Sequence, residues 1–187
     1  MNALNILRER GFIQSSTDEE ALDRFLTSKP QSFYVGFDPT GNSLHVGHLV
    51  PIMVMAWLAR LGHQPIAIIG GGTAKVGDPS GKDKTRTMLD DATIRANAQC
   101  FNHQLTRILT AATESGQTQP DLVLIDNSEW LNQLNYIDFL RDIGQHFSVN
   151  RMLSAESAKQ RLERNQGLSF IEFNYHLLQS YDFLVLN

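Results

Sequence analysis

Two histidines, His45 and His48, are the residues of this chain whose type and spacing best suit chemistry. They follow an apolar, strand-like run at 33–37 and open a helix-like run at 44–60. Residues three apart share one face of a helix, and the unpaired N–H groups at a helix start favour anions. Gly47 lies between them and lets a flat ring such as a nucleobase approach the backbone. The pattern predicts a nucleotide-binding site, although a capping role for His45 and a surface position for His48 fit it too.

A second candidate is a glycine-rich and then charged segment after the second apolar run. Residues 70–72 are glycines, and the stretch 77–86 holds several charged side chains, Lys82 and Arg86 among them. The spacing differs from the Gly-x-x-x-x-Gly-Lys-Ser/Thr pattern of a P-loop. Because charge runs are usually solvated, the residues alone favour a surface loop here.

A polar stripe close to residue 180 is the third candidate. Tyr175, Gln179 and Asp182 lie at positions i, i+4 and i+7, so on a helix they point in one direction. Their neighbours Leu177 and Leu178 fall on another face. The residues alone predict an ordinary amphipathic helix with an exposed polar face.

The elements that must position these residues follow an α/β pattern. Short apolar runs at 33–37, 65–69 and 122–125 alternate with long helical stretches. This alternation is typical of buried parallel strands joined by crossover helices. We therefore predict an α/β fold, a Rossmann-like parallel sheet with flanking helices and a helical connecting segment at 148–174. The functional site is expected at the carboxyl ends of the strands.

Two short amphipathic helices are predicted ahead of the first strand, at 3–10 and 18–26. Ser16 and Thr17 are the expected caps of the second of them, because both side chains can accept a hydrogen bond from a helix N–H group. A single cysteine, Cys100, excludes an intrachain disulfide. We expect this cysteine to be buried in helix packing.

Composition limits the class of protein. The 187 residues are 42% hydrophobic and 19% charged, with a formal net charge of −4, which indicates one ordinary globular domain over 1–187. No apolar stretch reaches the roughly 20 residues that a membrane-spanning helix needs. The N-terminus has no apolar signal segment. These features predict a cytoplasmic protein without a membrane partner.

Several short segments, taken in chain order, resemble one family of enzymes. The first runs from Tyr34 to Thr40 and resumes from Ser43 to His48. Further matches lie at 77–82, 139–142, 146–150 and 175–183. Together they resemble the tyrosyl-tRNA synthetases, which are class I aminoacyl-tRNA synthetases. The resemblance covers almost the whole chain.

The reaction implied by this resemblance is that of a tyrosine–tRNA ligase. The tyrosine carboxylate attacks the α-phosphate of ATP, pyrophosphate leaves, and the adenylate then esterifies the terminal ribose of tRNA(Tyr). The implied substrates and partners are therefore L-tyrosine, ATP with Mg²⁺, and tRNA(Tyr). No metal-ligand cluster is evident in the sequence, so Mg²⁺ is expected to arrive with ATP. No tightly bound cofactor is expected.

The resemblance also implies which residues contact ATP. Thr40 and His45 match family residues that hold the γ-phosphate end in the transition state. Gly47 and His48 match the ribose and adenine contacts. Asp38 stands where the family lines the pocket beside the substrate, and it completes the expected ATP-binding set.

Lys82 and Arg86 match the family's mobile loop that closes over pyrophosphate. The resemblance therefore favours a functional role for this charged stretch over a plain surface loop. Cations that engage only in the transition state raise the rate without tightening ground-state binding. The catalytic set implied by the resemblance is Thr40, His45, His48, Lys82 and Arg86.

The tyrosine pocket is implied in the same way. Tyr175 and Gln179 join Asp78 around the substrate ammonium, and Tyr34 and Asp182 meet the phenol hydroxyl. Phenylalanine would leave two buried polar groups unpaired at that hydroxyl, which is how such a site rejects it.

Asn127 and Trp130 follow the third strand and match a family position close to the pocket, although Trp130 fits the core equally well. The family dimerises through the connecting segment at 148–174, whose apolar side chains exceed what a small crossover can bury. A symmetric homodimer is therefore expected.

The resemblance further implies that family members continue beyond residue 187. They add a further strand, a second motif of Lys-Met-Ser-Lys-Ser type and an anticodon-binding region. We expect the chain to represent the N-terminal portion of a catalytic domain that is C-terminally incomplete, without full activity on its own. Two alternatives stay open: a non-catalytic module that binds tyrosine or a nucleotide, and a tryptophan-specific relative. Tyr34 and Asp182 favour a phenol over an indole.

Overall fold

The computed structural model of the chain describes residues 2–78, 89–113, 121–164 and 167–187. The strands are β1 (Ser32–Phe37), β2 (Gln64–Ile69) and β3 (Val123–Asp126). The helices are α1 (Ala3–Glu9), α2 (Glu19–Ser28), α3 (Val46–Arg60), α4 (Asp91–Thr113), α5 (Ser128–Leu131), α6 (Tyr136–Asp142), α7 (Val149–Leu153), α8 (Glu156–Glu163), α9 (Phe170–Phe173) and α10 (Tyr175–Leu186). Short 3₁₀ turns cover Thr73–Lys75 and Gly144–His146.

The strands form one sheet in the order β1-β2-β3. β1 and β2 run parallel, with Ser32 opposite Gln64 and Phe37 opposite Ile69. α3 is the crossover between them, as parallel pairing requires. The prediction of a parallel α/β sheet with flanking helices is therefore confirmed. None of the described helices is long and apolar enough to cross a membrane.

The chain divides into two compact units. The first unit comprises Met1–Phe37, Gly41–Ile69 and Ala96–Ile125. The second unit comprises Asp38–Thr40, Gly70–Arg95 and Asp126–Asn187.

The core of the first unit lies between the sheet and the helices α3 and α4. Phe37 and Ile69 from the strands pack with Met55 of α3 and Phe101 of α4. Cys100 of α4 is exposed, so the expectation that it is buried was wrong. The buried apolar residues of α4 recur at helical spacing, at Ile94, Ala98, Phe101, Leu105 and Leu109, and position 100 falls off that stripe.

The cap of α2 also differs from the prediction. Asp18, rather than Ser16 or Thr17, occupies the N-cap, and its side chain accepts a hydrogen bond from Ala21 N. A carboxylate at this position both satisfies an unpaired N–H group and complements the helix dipole. An acidic residue therefore fits the cap better than the hydroxyl side chains before it.

The second unit contains the helices that follow β3. The predicted helical connecting segment begins with α7 and α8. The guanidinium of Arg161 on α8 donates to Glu172 Oε1 at 2.9 Å, and both side chains are buried. Glu172 also accepts from Ser169, which caps α9 in a capping box. Because α10 begins at Tyr175, two residues after α9 ends, this ion pair anchors the entry to the helix that carries the polar stripe.

Candidate functional site

The start of α3, in the first unit, is organised by the two histidines. His45 is the N-cap, and its Nδ1 accepts from Gly47 N at 3.1 Å. His48 Nδ1 accepts in turn from His45 N at 3.0 Å. The two imidazole centroids lie 3.9 Å apart. The capping alternative for His45 thus describes the local geometry, and it leaves the Nε2 atoms of both rings available.

The role of these Nε2 atoms follows from the tautomer. A neutral imidazole that accepts at Nδ1 carries its proton on Nε2. Burial lowers the pKa of His48, and His45 beside it lowers that pKa further, so the neutral form prevails at pH 7. The His48 ring packs edge-on against Phe101, with centroids 5.6 Å apart. Each Nε2–H is therefore a donor at a helix start, where anions are favoured.

The chain that leads into α3 is tied to α4. Leu44 N donates to Gln104 Oε1 at 2.9 Å, within the first unit. This contact fixes the residue directly before the His45 cap. Sequence reasoning missed Gln104, since a glutamine on a long amphipathic helix carries no signal of such a role.

Asp38 is the centre of a hydrogen-bond network in the second unit. Its Oδ2 accepts from the Tyr175 hydroxyl at 3.0 Å, and its Oδ1 accepts from Thr73 Oγ1 at 2.6 Å. Asp38 follows β1 directly, and Thr73 follows the three glycines after β2. Residues at the ends of two neighbouring strands are thereby joined to α10.

Asp182 is the second carboxylate of this network, and it is only 5% exposed. Its Oδ1 accepts from Trp130 Nε1 at 2.8 Å, and its Oδ2 accepts from Asn127 Nδ2 at 3.1 Å. Asn127 is itself buried and follows β3 directly. The indole of Trp130 is therefore a hydrogen-bond donor to a candidate site residue, Asp182, rather than a core side chain alone.

Glycine is required in the loop after β2 because polar side chains approach it closely. A Cβ on Gly70 would overlap the Asp38 carboxylate and the Thr73 hydroxyl. A Cβ on Gly72 would press on Leu131 and on Asn127 Oδ1. Glycine is therefore needed here because a side chain would collide with the residues of the network, and not because the backbone adopts unusual angles.

The electrostatics of the second unit are those of a buried acidic site. Burial raises the pKa of the Tyr175 phenol well above its ordinary value, and the charges of Asp38 and Asp78 raise it further. Burial also raises the pKa of Asp182, while the hydrogen bonds from Asn127 and Trp130 oppose that rise. Such carboxylates suit an ammonium group or a hydroxyl donor on a ligand.

The remaining predicted residues fall in different surroundings. Thr40 and Gly47 are exposed, in the second and first unit respectively. Tyr34 is half-buried on β1 of the first unit, and Gln179 is exposed on α10 of the second unit. Lys82 and Arg86 lie outside the described residues. Within the ranges described, no group of three or more histidine, cysteine or acidic side chains is placed to hold a metal ion.

The structure adds one residue to the network that sequence reasoning did not single out. Thr73 is 2% exposed and bonded to two of the predicted site residues, Asp38 and Asn127. Its only signal in the sequence is its place directly after three glycines at the end of an apolar run.

Comparison with known proteins identifies the family. The family model described as tRNA synthetases class I (W and Y) matches residues 27–187. The tyrosine–tRNA ligase of Acetivibrio thermocellus is 55% identical over 180 residues, which are 96% of this chain and 42% of that protein. That of Clostridium tetani is 48% identical over 186 residues, 100% of this chain and 44% of that protein. The chain thus spans less than half the length of these curated relatives.

Solved structures agree with this assignment. A C-terminally truncated mitochondrial tyrosyl-tRNA synthetase of Aspergillus nidulans superimposes with a TM-score of 0.85 at 33% identity, covering 99% of this chain and 54% of that chain. The tyrosyl-tRNA synthetase of Archaeoglobus fulgidus, solved with L-tyrosine, has a TM-score of 0.63 at 17% identity, covering 98% of this chain and 51% of that chain. The second match shows a shared fold. The chain belongs to the class I tRNA synthetases of the tryptophan and tyrosine type.

Proposed function

We propose that this chain is the tyrosine- and ATP-binding part of a tyrosine–tRNA ligase. In the proposed reaction the tyrosine carboxylate attacks the α-phosphate of ATP, and pyrophosphate leaves. The adenylate then transfers its tyrosyl group to the terminal ribose of tRNA(Tyr). Since the nucleophile and leaving group belong to the substrates, the protein contributes positioning and stabilisation of charge.

The observation that carries the proposal is the environment of Asp182. Trp130 and Asn127 each donate to one of its oxygens, so the carboxylate is held in one orientation. A buried carboxylate fixed in this way is suited to accept a hydrogen bond from the phenol hydroxyl of tyrosine. Phenylalanine has no hydroxyl and leaves that acceptor without its partner, at a cost of about 1 to 3 kcal/mol. Tyr34 is proposed as the second contact to the hydroxyl.

We assign the ammonium end of the substrate to Asp78 and Tyr175. Asp38 was expected in the ATP-binding set, but we propose that it lies at the ammonium end as well, because its carboxylate accepts from the Tyr175 hydroxyl. The buried phenol of Tyr175 stays protonated, because its pKa is raised by burial and by the charges of Asp38 and Asp78. Its hydroxyl proton is directed at Asp38, which leaves the Tyr175 oxygen able to accept from an ammonium N–H. Gln179, exposed on α10, is proposed to contact the ammonium group as well.

ATP is assigned to the residues around the start of α3. His45 and His48 present Nε2–H donors there, because both Nδ1 atoms are occupied by backbone N–H groups. Gly47 supplies a backbone surface without a side chain, suited to a nucleoside. Thr40 is proposed to contact the phosphate chain, and Mg²⁺ is proposed to enter with ATP.

The proposed pyrophosphate contacts are Lys82 and Arg86. Their charges suit the oxygens of the leaving group, and the support for this role is their match to the family's loop. No resident cofactor is proposed.

The proposed assembly is a homodimer formed through the segment 148–174. Large apolar side chains in this segment are exposed, namely Val149, Leu153, Leu162, Phe170 and Ile171. Contiguous exposed apolar side chains mark interaction surfaces, and a two-fold axis makes one such patch self-complementary. The protein is proposed to act in the cytoplasm.

The experiment that tests the function is ATP–pyrophosphate exchange by the full-length protein with tyrosine, phenylalanine and tryptophan. Exchange that depends on tyrosine, with the other two amino acids far less effective, supports the proposal. A preference for tryptophan contradicts it in favour of the tryptophan-specific alternative. Tyrosine binding without exchange contradicts it in favour of a non-catalytic module.

A further inference from the structure

Thr73 is a buried polar residue that the proposed reaction does not use. It begins the 3₁₀ turn Thr73–Lys75, but its side chain does not cap that turn. Its Oγ1 instead donates to Asp38 Oδ1 at 2.6 Å and accepts from Asn127 Nδ2 at 3.2 Å. A hydroxyl has a single proton to donate, and an ionised carboxylate can only accept. The direction of both hydrogen bonds is therefore determined.

Asn127 is fixed in turn by its other partners. Its Oδ1 accepts from Gly72 N at 2.8 Å, and its Nδ2 donates to Asp182 Oδ2 at 3.1 Å. A flipped amide would set its NH₂ group against the Gly72 N–H and its oxygen against the Asp182 carboxylate. With Thr73 as the second acceptor for Nδ2, every polar group of this buried amide is satisfied in one orientation only.

The result is a continuous path of hydrogen bonds through one unit. It runs from Tyr175 to Asp38, on to Thr73 and Asn127, and ends at Asp182. Thr73 is the link between the two carboxylates, because it bonds Asp38 directly and bonds the amide that holds Asp182.

We propose that Thr73 is a positioning residue for substrate specificity, which sets Asp38 and Asp182 in a fixed relation to each other. This inference rests on the proposed function, in which Asp182 meets the phenol hydroxyl and Asp38 lies at the ammonium end. Without the Thr73 hydroxyl, Asn127 Nδ2 loses one of its two acceptors, and the amide is held only by Gly72 N and Asp182. The carboxylate is then less well held for the hydroxyl that distinguishes tyrosine from phenylalanine.

The test compares Thr73→Val, Thr73→Ser and Thr106→Val in the full-length protein. Thr106 is an exposed threonine of α4 in the other unit, whose hydroxyl donates to the carbonyl of Asn102 in its own helix. The measurement is the ratio of kcat/KM for tyrosine to kcat/KM for phenylalanine in ATP–pyrophosphate exchange. We expect Thr73→Val to lower this ratio about tenfold, and Thr73→Ser to keep it within about twofold of the unmodified protein. Thr106→Val should leave the ratio unchanged.

A purely structural role would lower the rates with both amino acids together and leave their ratio unchanged, which overturns the inference. If Thr73→Val does not fold, Thr73→Ala takes its place with the same expected fall in the ratio. Failure of both variants to fold also overturns the inference, because the hydroxyl would then hold the fold rather than the specificity. The unmodified protein separates the two proposals. If it shows no preference for tyrosine, the proposed function fails before Thr73 is considered.

Discussion

The hydroxyl of Tyr175 donates to Asp38 Oδ2 at 3.0 Å across 137 positions of sequence. This contact joins the helix α10 to the residue that follows the strand β1. It orients a phenol that stays protonated at all ordinary pH values, because burial and the charges of Asp38 and Asp78 raise its pKa. The network of the second unit depends on this orientation.

Tyr175→Phe removes that hydrogen bond without changing the ring. We expect the free energy of unfolding to fall by about 1 to 2 kcal/mol, since a donor to a carboxylate is lost from a largely buried site. Urea denaturation of the protein measures it. Tyr136→Phe is the matched control, because that tyrosine is 60% exposed. Equal losses in the two variants would contradict the account of the contact.

Asp182→Asn is expected to change how stability depends on pH. The pKa of Asp182 is raised above the ordinary 3.8 by burial. A raised folded-state pKa gives stability that is fully present below the unfolded-state pKa and is lost as pH rises through the folded-state value. The stability that Asp182 contributes is therefore lost as pH rises above about 3.8, and the variant, which lacks this carboxyl, does not have that loss.

The measurement is the free energy of unfolding of both proteins at pH 4 and pH 7. The free energy of unfolding of the variant, minus that of the unmodified protein, should be larger at pH 7 than at pH 4. Asn also loses one acceptor for the donors Asn127 and Trp130, but that cost is present at both pH values and cancels in the comparison. A pH effect no larger than that of Asp121→Asn, which replaces an exposed carboxylate, would count against a buried charge at Asp182.

Lys82→Ala and Arg86→Ala should each lower kcat for adenylate formation at least tenfold while tyrosine affinity stays nearly unchanged. The reason is that the proposed contacts form with the leaving pyrophosphate rather than with tyrosine. Pre-steady-state rates and equilibrium binding of tyrosine separate the two effects. Lys84→Ala is the control from the same stretch of chain. A fall in binding as large as the fall in rate would show a structural role instead.

Phe170→Ser should weaken the proposed homodimer, because this side chain in the segment 148–174 is 69% exposed. Phe25→Ser is a matched control outside that segment, where the phenylalanine is 52% exposed. Light scattering at micromolar concentration should show a dimer for the unmodified protein and the control, and a larger monomer fraction for Phe170→Ser. A monomer for the unmodified protein contradicts the proposed assembly.

The strands and most helices could be predicted from the sequence because hydrophobic runs and helical spacing report burial directly. The parallel sheet and the helix at Tyr175 follow from such patterns. The caps were less predictable, as Asp18 shows, because several polar residues in a row compete for one position. Cys100 was misplaced because the buried stripe of α4 is set by which helix face meets the sheet.

The candidate site, like the fold, was predictable from the sequence only in part. The types and spacing of His45, His48 and Asp182 mark them as candidates. Hydrogen-bond directions could not be predicted, because they depend on contacts between residues far apart in the chain. Thr73 bonds Asp38, which lies 35 positions before it, and Asn127, which lies 54 positions after it. Neither contact produces a periodic pattern in the sequence.

The proposed function depends most on Asp182, which we propose accepts a hydrogen bond from the phenol hydroxyl of tyrosine. The most direct test is kcat/KM for tyrosine and for phenylalanine in ATP–pyrophosphate exchange, measured on the full-length protein and on Asp182→Ala. We expect kcat/KM to fall at least tenfold for tyrosine and to change much less for phenylalanine, because only tyrosine uses that carboxylate. Equal losses for the two amino acids would contradict it.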